Sequence, residues 1–177
     1  MKKFIFILFL IVPAMRAYPQ DSIAISPSSS KFSLGAGIGL DYGGYGFRLS
    51  ASPSESVVIF GDLGYNLLEI GYGAGLDFRL IPKSNVCPYF GVLYGYNAVI
   101  KIENANNLSQ SYFGPSLNFG VEFRSKRKPN YLNLELVVPF RSRQFHDDYN
   151  ELKNNYGVVF KNSLYPVAFS IGYHFGF

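Results

Sequence analysis

Alternate positions of residues 163–177 are apolar or aromatic without exception: Tyr165, Val167, Phe169, Ile171, Tyr173, Phe175 and Phe177. The intervening set, Pro166, Ala168, Ser170, Gly172, His174 and Gly176, is small or polar. A strict period of two is the mark of a β-strand with two unlike faces. The run is long enough to cross a bilayer, which takes a tilted strand of about 10 residues.

Seven more segments carry the same alternation, at 31–42, 45–51, 57–66, 69–80, 89–102, 111–124 and 131–141. Turn or loop chemistry separates them: Gly43-Gly44, the Ser52–Ser56 break, a reversal at Leu67-Leu68, Pro82–Pro88, the Asn-rich 103–110, the basic 125–130 and the long charged 142–162. Charged residues make up 16% of the chain, against about a quarter in a typical soluble domain. No apolar run reaches the ~18 residues of a membrane helix. These features predict an all-β fold: an eight-stranded antiparallel up-and-down transmembrane β-barrel, since closure alone removes strand edges that hydrocarbon cannot satisfy.

The front of the chain differs. Lys2 and Lys3 precede an apolar stretch at 4–12 and then small residues, which reads as a cleaved secretory signal peptide over 1–17. Residues 18–30 read as a flexible periplasmic lead-in and 31–177 as the barrel. Of the formal charge of +4, three come from Lys2, Lys3 and Arg16 in that leader, so a nucleic-acid partner is not expected. Cys87 is the only cysteine, which rules out an intrachain disulfide.

Sidedness follows from charge. Asp41, Arg48, Asp62, Asp77, Arg79, Lys101, Glu122 and Glu135 all fall on the polar set. One Arg at the midplane of a lipid face costs about 2–4 kcal/mol, so this set must face inward. A lumenal polar network of Arg48, Asp62, Asp77, Arg79, Glu122 and Glu135 is expected, with Arg48 paired to Asp62. With Gly43-Gly44 as the first turn, Arg48 falls opposite Gly39. With Leu67-Leu68 as an outer turn, Phe60 falls opposite Gly75 and Asp62 opposite Gly73. Outward Tyr42, Tyr45 and Tyr65 form one aromatic girdle, and Phe32, Phe78, Phe90, Phe123 and Phe177 the other. An even strand count places the first, third, fifth and seventh connections on the outer side.

The region 31–177 resembles the small outer-membrane barrels of the OmpA/OmpX kind and the porin-family outer-membrane β-barrel domains, through its leader, its eight alternating strands and its Tyr173-x-Phe175-x-Phe177 ending. The resemblance implies a bacterial outer-membrane location, outer-membrane lipid and lipopolysaccharide as surroundings, and an ending (Tyr173, Phe175, Phe177) read by the barrel assembly machinery. With the eighth alternating segment last in the sequence, the peptidoglycan-binding domain of full-length OmpA is not expected.

Catalytic chemistry is weakly represented. Ser170 and His174 lie four residues apart on one strand, roughly 13 Å at ~3.3 Å per residue, too far for a nucleophile–base pair. His174 reads as lumenal filler. His146-Asp147-Asp148 offers a cation-binding group or a solvated loop, and Arg141 and Arg143 can meet lipid phosphates or water. The glycine strings at 35–39 and 71–75 lie within strands and are not phosphate loops. No enzyme activity, cofactor or metal is expected. The expected function is a structural or surface-interaction barrel filled by its own side chains, with an extracellular partner at loop 142–162. A narrow channel or small-ligand carrier is the alternative, and an outer-membrane lipid-modifying enzyme the second.

Overall fold

The computed structural model describes residues 30–102, 109–155 and 165–177. The expected signal peptide, and the lead-in apart from Ser30, lie outside them. Eight strands run in chain order: β1 Phe32–Gly39, β2 Gly44–Ser54, β3 Val57–Tyr65, β4 Ile70–Arg79, β5 Val86–Ile100, β6 Gln110–Arg124, β7 Tyr131–Pro139 and β8 Ala168–Gly176. Each pairs antiparallel with its neighbours, and β8 returns to β1 to close the cylinder. Phe177 N–H donates to the Phe32 carbonyl at 2.9 Å, and the two rings stack at 6.4 Å.

The wall is inside-out relative to a soluble barrel. Phe47, Leu63, Tyr72, Tyr94, Phe119, Phe169 and Phe175 are exposed, while Arg48, Asp77, Glu122, Glu135 and His174 are at most 4% exposed. Register explains the interior. Phe60 lies opposite Gly75 and Asp62 opposite Gly73, so a bulky inward group on one strand meets a bare backbone on the next. At β5 the alternation breaks at a register shift between Tyr96 and Ala98, after which Tyr96, Asn97, Ala98 and Ile100 are all covered.

Three features depart from the alternation reading. The first strand stops at Gly39 rather than Tyr42. Leu40–Tyr42 form a single 3-10 turn, fully enclosed, with Gly43 in the left-handed region closing it. Tyr42 is therefore not part of an outward girdle: it is 0% exposed and lies in the lumen. The longer connection also moves the register, so Arg48 faces Gly35 and not Gly39. Lys101 follows the end of β5 and is exposed, its ammonium donating to the Leu67 carbonyl at 3.2 Å.

The third departure is α1, Arg143–Asn154, inside what reads as a loop. Ser142 caps it, its hydroxyl accepting from Phe145 N–H at 3.2 Å. Phe145 and Leu152 fall on one helical face and pack on Ala98, Ile100 and Tyr112, the projecting tips of β5 and β6. Tyr112 also donates to Asp148 at 2.7 Å. We expect Ser142→Ala to destabilise α1 by about 1 kcal/mol while leaving the barrel intact, seen as faster amide exchange confined to residues 143–154. Equal exchange in α1 and the strands would sink this assignment.

Candidate functional site: the stoppered lumen

The lumen contains two polar layers. The first is built around Arg48. One guanidinium nitrogen donates to Asp41 Oδ2 at 2.9 Å and lies 3.5 Å from Glu135 Oε2; the other bonds to Asp77. Asn118 donates to the second oxygen of Asp77 at 2.7 Å, and the Tyr89 hydroxyl donates to Glu135 at 2.6 Å. The Arg48 guanidinium also lies 3.5 Å from the centre of the Phe60 ring, a cation–π contact in a desolvated setting. Arg48, Asp77 and Glu135 of the expected network thus meet, joined by Asp41.

Asp62 stands apart. It faces Arg48 across the β2–β3 ladder, as the strand register requires, but the long guanidinium reaches past it. The expected Arg48–Asp62 pair does not form. Both Asp62 carboxylate oxygens are buried without a hydrogen-bond partner.

The second layer lies at the opposite end from α1. Glu122 receives Arg79 Nη2 at 2.9 Å and Arg124 Nε at 2.7 Å, while Arg79 Nη1 donates to Ser52 Oγ at 3.1 Å. Arg124 was not among the residues expected in the network. The alternation hides it, because it closes β6 where the strand meets the basic turn. One carboxylate thus offsets two guanidiniums. Glu122→Gln is expected to cost about 3 kcal/mol, read from the urea midpoint of the barrel in lipid vesicles. A shift below ~1 kcal/mol would mean that water already serves both arginines.

The first layer includes Asp41 of the enclosed turn Leu40–Tyr42, hereafter the tongue. The tongue enters from the end that carries α1, since both belong to odd-numbered connections of an up-and-down barrel. The Tyr42 hydroxyl is 2.7 Å from both Asn133 Oδ1 and His174 Nε2. The amide oxygen can only accept, so Tyr42 donates to it, and His174 must then present Nε2–H to the phenol oxygen. Tyr131 stacks on the His174 ring at 4.4 Å and meets Ser33 Oγ at 3.0 Å. His174 is thus held on Tyr42 and Tyr131, and no hydrogen bond joins it to Ser170. Leu40 packs in a lumenal apolar cluster with Phe60, Leu93 and Val137.

The inward glycines acquire a specific use. A β-carbon at Gly37 would meet the Tyr42 ring at 2.7 Å, and one at Gly172 would collide with the Tyr42 hydroxyl. One at Gly46 or Gly64 would collide with the Tyr42 carbonyl. Strands β1, β2, β3 and β8 therefore each leave bare backbone where the tongue lies.

At the α1 end, Arg141 stacks over Phe145 at 5.5 Å and donates to the Tyr165 carbonyl at 2.7 Å. Burial lowers its pKa from the usual guanidinium value. His146 Nδ1 lies 2.9 Å from the Ser142 carbonyl, while Asp148 is taken by Tyr112, so the two do not converge. Among the described residues no group of three or more His, Cys, Asp or Glu is arranged to hold a metal ion. Tyr173 and Phe175 lie edge-to-face at 5.0 Å on the exposed wall, with Phe177 exposed beyond them.

A closed antiparallel barrel with an apolar exterior and a charged, hydrogen-bonded lumen defines a membrane barrel protein, because water on that exterior and hydrocarbon on that lumen would each be untenable. No family model matches the sequence, and no curated protein matches it. Among solved structures, the N-terminal β-barrel domain of Pseudomonas aeruginosa OprF is similar at 10% identity and a TM-score of 0.42, over 83% of this chain and 98% of that one.

Proposed function

We propose that the protein is an integral barrel of the bacterial outer membrane, with a structural or surface-interaction role carried by the end that bears α1. The supporting observation is the opposed polarity of the two wall faces, together with a lumen filled by ion pairs and the tongue. A filled lumen favours a scaffold over an open pore. On this reading the barrel performs no catalysis, and His174 serves to anchor the tongue. Lipid and lipopolysaccharide surround the wall, and the barrel assembly machinery receives the Tyr173-x-Phe175-x-Phe177 ending. A partner outside the cell meets the segment 142–162.

Cell fractionation with heat-modifiable gel mobility tests the location. The protein should stay in the outer-membrane fraction and migrate faster unheated than boiled. Recovery in the soluble fraction, with one mobility, would overturn the reading. Deleting residues 143–154 should then leave mobility unchanged while abolishing surface crosslinks made by the intact protein. Crosslinks that survive the deletion would move the interaction elsewhere on the barrel.

A further inference from the structure

We propose that the β6–β7 hairpin holds an anionic phospholipid, with its phosphate on the basic turn at 125–130 and an acyl chain in a groove of the outer wall. The inference rests on the membrane-barrel reading above and adds a lipid-selective site to it. The groove, of about 680 Å³, is bordered by Phe119, Val121, Leu134, Leu136, Phe169 and Ile171. Register sets Phe119, Leu136 and Phe169 side by side across β6, β7 and β8, and Val121, Leu134 and Ile171 side by side one step further from α1. Phe119 and Phe169 are exposed while Leu136 between them is half-buried, so two rings stand on either side of a lower aliphatic floor.

The occupant follows from charge. Ser125 N–H donates to the Asn130 carbonyl at 2.9 Å, and Ser125 Oγ accepts from the N–H groups of Arg127 and Lys128 at 3.3 Å. This ordered turn leaves Lys126, Arg127 and Lys128 exposed. Lys31 and Lys83 are exposed at the same end, where Glu55 is the exposed side-chain carboxylate among the described residues. Glu122 is buried there and held by Arg79 and Arg124. At the α1 end the described charges balance: Glu69, Asp147, Asp148 and Glu151 against Lys101, Arg141, Arg143 and Lys153. Positive charge is thus in excess at one rim, beside the exposed rings of Phe32, Phe123 and Phe177, where a girdle meets lipid headgroups.

The lengths match a lipid. Phe119 lies five residues from Arg124, the end of β6, which is roughly 16 Å along the strand at ~3.3 Å per residue. One leaflet fills about half of the ~30 Å hydrocarbon core. A phosphate on the turn therefore lays its acyl chain past Phe123 and Val121 and into the groove. Tyr173 is exposed between the two, its hydroxyl accepting from Asn130 Nδ2 at 3.3 Å, and sets a polar tip where the ester groups of that lipid fall.

The test uses the absence of Trp from the sequence, so that one introduced Trp reports its own surroundings. Phe119→Trp places it at the groove. Phe47→Trp places it at an exposed position of β2, four strands from β6 in either direction round the barrel. Each variant is folded into phosphatidylcholine vesicles, and quenching is titrated with chain-brominated phosphatidylglycerol or chain-brominated phosphatidylcholine. At the groove, half-quenching should need about fivefold less of the anionic lipid, roughly the effect of one basic residue at an anionic surface. At β2 the two lipids should quench equally. Replacing Lys126, Arg127 and Lys128 together by Gln should abolish the preference at the groove, as should ~1 M salt. Should Phe119→Trp not fold, Leu136→Trp takes its place. Equal quenching at the groove, an equal preference at β2, or a preference that survives the triple substitution would each overturn the site. Heat-modifiable mobility in the same vesicles separates the two readings. A barrel that inserts without lipid preference overturns this inference alone, whereas a native chain that does not insert overturns the membrane reading as well.

Discussion

Arg48→Met is expected to destabilise the barrel by about 3–5 kcal/mol, the usual range for removing one partner of a buried ion pair. The size follows from the number of dependents. Asp41, Asp77 and Glu135 all direct an oxygen at this guanidinium, and none has a second cation within reach among the described residues. Met preserves much of the side-chain volume, so the loss is electrostatic and not a cavity. The measurement is the urea midpoint in lipid vesicles, followed by heat-modifiable mobility. Adding Asp77→Asn and Glu135→Gln to Arg48→Met should recover part of the loss, because neutral amides no longer need the cation. A midpoint unchanged by Arg48→Met would mean that the three carboxylates are satisfied by other means, and the two-layer description of the lumen would fall with it.

Leu134→Arg should cost about 2–4 kcal/mol in a bilayer, the range for a cation placed on a lipid-facing strand near the midplane. Leu134 lies near the centre of β7, flanked by Val121 on one side and Ile171 on the other. Its outward exposure of 43% means that the guanidinium would enter whatever medium covers the wall. Refolding yield and urea midpoint in vesicles report the cost. A neutral or stabilising effect would show that water, not hydrocarbon, covers this face. The two substitutions probe opposite sides of one wall: one strips a charge from the inside, the other adds one to the outside.

Period-two alternation made the strands legible because it depends only on local geometry, and Phe60, Gly75, Asp62 and Gly73 fell into register for the same reason. The tongue was hidden by that same rule. Leu40, Asp41 and Tyr42 continue the alternation of β1 in phase, so nothing in their hydropathy separates a strand end from an inserted turn. The available signal was Gly39 together with Gly43-Gly44, a spacing that brackets three residues with permissive backbone. Arg48 shows a second limit. Register fixes which Cα faces which, but a side chain of that length selects among several carboxylates by charge and space. Helix α1 was legible in principle: Ser142 precedes Phe145, Tyr149 and Leu152, a cap followed by apolar residues at helical spacing. The charged residues between them masked it.

The closing ladder between β1 and β8 has a temporal consequence. Every other ladder joins strands adjacent in the chain, whereas Ser33 pairs with Gly176 across nearly its whole length. Such a seam carries the largest loop-closure entropy in the molecule, and ordering of neighbouring hairpins alone cannot form it. Sealing should therefore be the slow, late event of assembly. Until then the first and last strands present open edges, which gives a cell a defined interval in which to guide insertion or to degrade a barrel that stalls.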